Sequence, residues 1–122
     1  MGNGSPCGSP DQPSDLMKRG TLVWVDLSDA TPPEMGKVRP AVIVSGDVHN
    51  AVLDTVVVVP TSSLAPEILP LRVCLGTFSS KESYAVIPGI RQVSKRRLRG
   101  VIGAVSEARF VILELSLRQY LG

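Results

Sequence analysis

Residues 37–63, KVRPAVIVSGDVHNAVLDTVVVVPTSS, decide the reading of this chain. Arg39–Ser45 (RPAVIVS) is a nearly all-apolar strand in which Pro40 is tolerable only at the first residues or on an edge. Gly46–Asn50 (GDVHN) reads as a turn. Ala51–Pro60 (AVLDTVVVVP) then carries four consecutive valines, the pattern of a central strand buried on both faces. Pro60 ends it, and Thr61-Ser62-Ser63 begins a polar connection. Sequential strands usually lie side by side. If these two are antiparallel, the end of the second lies beside the start of the first, so Arg39 and Thr61 share one rim.

Working outward, the remaining chain repeats the theme of short β-branched segments separated by turn residues, the signature of a small, mainly β fold. Thr21–Leu27 (TLVWVDL) is a first strand. Asp29–Lys37 (DATPPEMGK) is a loop, because two prolines and a glycine in so short a stretch propagate neither helix nor ladder. Further strands are expected at 70–75, 84–87 and 101–104, with 79–83 as a hairpin tip. The last segment, Ser106–Leu121, differs in kind. Glu107, Glu114 and Arg118 fall on one narrow helical stripe, with Ser106 as N-cap. Its apolar arc, from Ala108 through Phe110, Leu113 and Leu117 to Leu121, is wider than one sheet face needs, which points to a second buried face such as a dimer contact.

Composition sets the bounds. The 122 residues suffice for one domain with a modest core. Aromatic residues make up only 4% of the chain, so the core must be built from Val, Leu and Ile. The Gly-, Pro- and Ser-rich start reads as a solvated leader over residues 1–16, followed by one domain over 17–122. No apolar run approaches the ~20 residues that span a bilayer. The start also lacks the basic and apolar regions of a secretory signal, so a cytoplasmic location is expected. Two cysteines and the lone His49 make neither a disulfide framework nor a structural zinc site, and no metal or other cofactor is expected.

Charge is unevenly placed. Up to Thr61 the chain has four cationic residues against seven acidic ones; beyond it, nine against four. The cations concentrate in Arg91–Arg99 (RQVSKRRLR), and no carboxylate occurs between Glu82 and Glu107. Such a field attracts polyanions and serves phosphate contacts, although a solvated surface turn has the same composition. Enzyme motifs of sharp spacing are absent: no GxxxxGK[ST], GxGxxG, HExxH, CxxC or GxSxG. An exposed His49 without evident Ser and Asp partners does not make a triad, and the apolar middle of GVIG (100–103) fits a strand better than a nucleotide clamp. Arg39 beside Thr61 would make a competent phosphodiester clamp, since the guanidinium fork pairs two phosphate oxygens while the hydroxyl adds a third hydrogen bond. Taken alone, these positions favour an Arg paired with a loop carboxylate such as Glu34 and a Thr capping a turn.

The ordered series GTLVWVDL (20–27), Glu34, KVRPAVIVS (37–45), Asn50, DTVVVVPTSS (54–63), IRQVSKRRL (90–98) and Ile102-Gly103 resembles the MazF/PemK family of toxin endoribonucleases over about residues 18–121. The resemblance implies a small SH3-like barrel of the CcdB/PemK type with a C-terminal α-helix, and a homodimer. It implies metal-independent cleavage of single-stranded RNA, as an mRNA interferase, and a cognate antitoxin whose tail occupies the RNA groove. It carries catalytic roles onto Arg39, Thr61 and Glu34, and substrate contacts onto Lys37, Ser62, Ser63, Arg91 and Gln92. Two departures stand out: Pro88-Gly89 replaces the usual Asp-Gln pair, and Pro32 replaces a loop glycine. The same barrel also serves toxins that grip gyrase without catalysis, which keeps a non-enzymatic binding module as the rival reading.

Overall fold

The computed structural model describes residues 17–27, 38–64 and 66–122. The expected leader (1–16) and the expected loop 29–37, with Glu34 and Lys37, lie outside the described residues. The strands are β1 (Thr21–Asp26), β2 (Val38–Ile43), β3 (Thr55–Ser62), β4 (Arg72–Phe78), β5 (Lys81–Val86), β6 (Arg91–Ser94) and β7 (Leu98–Ala104). Two helices accompany them, α1 (Asp47–Val52) and α2 (Glu107–Leu121). The strand order is β4-β5-β3-β2-β1-β7, with β6 also paired to β3. The result is the expected mainly β architecture with a C-terminal helix, its antiparallel sheet curled into a half-barrel.

β3 is central, as the valine run predicts, and both of its faces are covered. Val59 joins Leu22, Val42, Leu75 and Ile87 in one core cluster, which α2 closes with Leu113 and Leu117. Val56 and Val58 point the other way, into a second cluster with Val23, Val25, Ile43 and Val93. This division follows from the two-residue period of a strand. On one edge β3 pairs with β2, placing Ala41 opposite Pro60 and Val42 opposite Val59. On the other edge it changes partners: β6 holds it from Thr55 to Val58 and β5 from Thr61 to Ser62. Pro60 does not end the strand but sits at this change, where its missing N–H costs no ladder bond that the exchange would have kept.

Three other expectations need correction. The segment 46–50 is not a simple turn, and Ala51 does not open the next strand: Asp47–Val52 is one short helix, and β3 starts at Thr55. The cause is Asn50, which is buried, donates to the carbonyls of Met17 (2.7 Å) and Ser45 (3.0 Å) and accepts from the Ser45 hydroxyl. Satisfying a buried amide in this way coils the chain. The hairpin tip is also tighter than 79–83. Ser79 and Ser80 alone make the turn, with φ of 54° and 68°, so β5 begins at Lys81, opposite Phe78. Finally, the basic run is divided: Arg91–Ser94 is a strand on β3, and only 95–97 form a turn.

Closure of the half-barrel depends on Gly103. Phe78, at the end of β4, packs against it so closely that a Cβ there would stand 3.0 Å from the ring. The two ends of the strand order are thereby brought together. The helix α2 is capped by Ser106, whose hydroxyl accepts from the Arg109 N–H. Arg19 anchors the helix from outside. It pairs with Glu114 at 2.7 Å, donates to the Val44 carbonyl and lies over the Phe110 ring. That guanidinium holds the Glu114 carboxyl below the usual carboxylate range. On the outer face of α2, Val111 and Leu115 are 52% and 57% exposed. The wide apolar arc is therefore only half used within one chain.

Leu113 is fully buried between α2 and the sheet. Leu113→Ala should lower unfolding free energy by about 2–5 kcal/mol, read from the urea midpoint at unchanged slope.

Candidate active site

The curl of the sheet leaves a groove of about 710 Å³ on the face shared with the α2-side core. Leu22, Trp24 and Ile102 line one side, the β4–β5 hairpin (Phe78, Ser79, Lys81, Glu82, Ser83) the other, and Arg39, Pro40 and Thr61–Leu64 the end between them. Strand register explains this composition. Trp24 lies between Pro40 and Gly100 on its neighbouring strands. Neither neighbour covers an indole, so Trp24 remains 44% exposed although it sits mid-strand.

Arg39 and Thr61 reach the groove by different routes. Thr61 follows the partner change at Pro60, and its hydroxyl donates to the Pro40 carbonyl at 3.2 Å. That bond pulls the end of β3 against the start of β2. Arg39 is exposed, lies opposite Val25 of β1, and makes no hydrogen bond or ion pair with another described residue. Among the described residues nothing engages its guanidinium. Register puts Arg39 and Thr61 one residue out of step, so they leave opposite pleats of the sheet, and both border the end of the groove. Ser62 and Ser63 line the same end.

Other expected substrate contacts are placed elsewhere. Arg91 and Gln92 do not line the groove: they lie opposite Val58 and Val57 on β3, and the Gln92 amide donates to Thr55 at 2.8 Å. Two cations of the basic run brace the barrel. Arg97 donates to the Asp26 carbonyl at 3.0 Å and Arg99 pairs with the Asp26 carboxylate at 3.3 Å. Gly89, in the Pro88-Gly89 departure, lies so near Pro60 that a Cβ would stand 2.7 Å from its ring. A longer side chain there would push on the strand that presents Thr61. His49 is exposed on α1, apart from the groove.

Sequence reasoning missed Lys81 and Glu82. The 79–83 segment read as a solvated tip, and nothing in its composition says which way it faces. Only the two-residue turn fixes that Lys81 and Glu82 belong to a strand bordering the groove. The Tyr84 hydroxyl donates to Glu82 Oε1 at 2.7 Å. The hydrogen bond to Glu82, followed by burial, pushes the Tyr84 phenol up from 10.0 to about 12.

Comparison with known proteins bears on what such a groove serves. The model of the PemK-like, MazF-like toxins of type II toxin–antitoxin systems matches residues 18–121. The chain belongs to this toxin family. Endoribonuclease MazF9 of Mycobacterium tuberculosis is 32% identical over 114 residues, covering 87% of this chain and 97% of the relative. Endoribonuclease MazF of Staphylococcus epidermidis is 29% identical, covering 88% and 92%. A solved mycobacterial endoribonuclease in complex with its cognate antitoxin superposes with a TM-score of 0.72 at 25% identity, covering 86% of this chain and 94% of that one. The family match extends over the whole described barrel, so every groove residue named above lies within it.

Because the folded phenol is raised, its contribution to stability is present below pH 10 and is lost as pH rises toward about 12. Glu82→Gln removes the anionic acceptor. Titration of phenolate absorbance in the folded protein should then show Tyr84 ionising at lower pH than in the parent.

Proposed function

We propose that this chain is a toxin endoribonuclease that cuts single-stranded RNA, mRNA in the cytoplasm, by metal-independent transesterification. The single observation that carries the proposal is the Arg39 guanidinium and the hydroxyl of Thr61 bordering one end of an open, partly apolar groove, in a chain of the PemK/MazF family. In the proposed reaction the RNA 2′-oxygen attacks the adjacent phosphorus as the bond to the 5′-oxygen breaks. The products are a 2′,3′-cyclic phosphate and a 5′-hydroxyl end.

The protein must hold these groups in line, remove one proton, supply another and stabilise charge on the phosphoryl oxygens. Arg39 suits charge stabilisation and protonation of the leaving oxygen. A guanidinium holds its proton too firmly to serve as a base. Thr61 orients the phosphate once its hydroxyl turns from the Pro40 carbonyl to the ligand, with Ser62 and Ser63 beside it. Glu34 is the proposed base and Lys37 a proposed substrate contact. The exposed Trp24 face offers a platform on which a base can stack.

Two partners follow from the same reading. A second copy would cover the outer face of α2, where Val111 and Leu115 are left exposed. A cognate antitoxin is proposed by analogy with the solved mycobacterial complex. An acidic antitoxin tail would suit a groove end bordered by Arg39.

Incubated with a long single-stranded RNA in EDTA, the protein should yield discrete fragments ending in cyclic phosphate. Intact RNA would favour a binding module instead. Arg39→Ala should cut the cleavage rate by a factor of about 100 or more. Its melting temperature should stay at the parent value, because the Arg39 side chain is exposed and bonds no other described residue.

A further inference from the structure

Beyond the proposed cleavage site, the groove contains a second polar feature that the transesterification does not use. On the β4–β5 lip, Glu82 borders the groove, with one carboxylate oxygen engaged by the Tyr84 hydroxyl at 2.7 Å. Its other oxygen, Oε2, bonds no described residue. A fixed carboxylate in a groove for a polyanion needs a reason. It repels phosphate, yet Tyr84 spends a hydroxyl on holding it in place.

Spacing excludes the simplest role. Thr61 lies opposite Ala85 across the β3–β5 pair. Glu82 is three residues further along β5 toward the hairpin tip, an offset of about 10 Å along the strand. A general base must come within about 3 Å of the proton it removes. At that offset Glu82 stands beside the nucleotide next to the clasped phosphate, not at the reacting atoms. Lys81, on the same lip, supplies a cation for the backbone of that nucleotide.

An ionised carboxylate only accepts hydrogen bonds. On the edge of a splayed base the matching groups are the exocyclic amines of cytosine, adenine and guanine, whereas uracil offers two carbonyl oxygens and one ring N–H. We infer that Glu82, oriented by Tyr84, is a specificity-determining residue that selects a base bearing an exocyclic amino group, over uracil, at a nucleotide flanking the cleaved bond. Tyr84 is its positioning residue. The inference rests on the ribonuclease reading above.

The test uses the full chain and short single-stranded RNAs that differ only at the nucleotides flanking the mapped cleavage point, compared by kcat/KM. The parent should prefer an amino-bearing base to uracil at one flanking position by about tenfold or more. In Glu82→Gln the amide can donate to a uracil carbonyl, so that ratio should fall toward one. Tyr84→Phe should lower it partway. The ratio compares substrates within one variant, so a general loss of folding or activity does not move it. Cleavage by the parent and by Glu82→Gln with the same base ratio at every flanking position would overturn the Glu82 assignment alone. Failure of the parent to cut any RNA would overturn the ribonuclease reading, and this inference with it.

Discussion

The change of edge partner along β3 is the constraint on which the rest of the structure depends. A strand must satisfy its backbone donors, and Pro60 has none to offer at that point. β6 lets go at Val58 and β5 takes over at Thr61, so the strand ends in a different neighbourhood from the one in which it began. Its first half is sealed between two apolar clusters. Its last residues are delivered to the open groove.

The same exchange organises the groove. β5 arrives beside Thr61 as the return arm of a two-residue hairpin, which carries Lys81 and Glu82 to the lip. Phe78, next to the turn of that hairpin, closes against Gly103 on the opposite edge. The hydroxyl of Thr61 bonds across to β2 and keeps the start of that strand, and so Arg39, near it. Two cations of the basic run are used differently. Arg97 and Arg99 anchor β7 to the end of β1 through Asp26, so charge density in the sequence marks a brace rather than the groove itself.

Much of the architecture was legible in residue patterns. Four consecutive valines announced a strand covered on both faces, and Val56, Val58 and Val59 divide between the two clusters accordingly. Ser106 marked the start of the last helix, and its surplus apolar arc corresponds to an outer face left bare. Local patterns failed where a distant partner intervened. GDVHN coils into a helix because Asn50 finds carbonyls on Met17 and Ser45. RQVS becomes a strand because β3 has an unpaired edge.

By itself the sequence determined the strand-rich class, the central valine strand, the terminal helix and the pairing that lays the start of β2 beside the end of β3. Each of these depends on short-range periodicity or on the pairing of consecutive strands. Tertiary structure alone decided that Lys81 and Glu82 border the groove, that Trp24 stays uncovered, and that Arg91 and Gln92 lie outside it. Those outcomes depend on hairpin register and on which small residues lie across neighbouring strands. A change of one residue in register exchanges the faces of a strand, and no single segment carries that information.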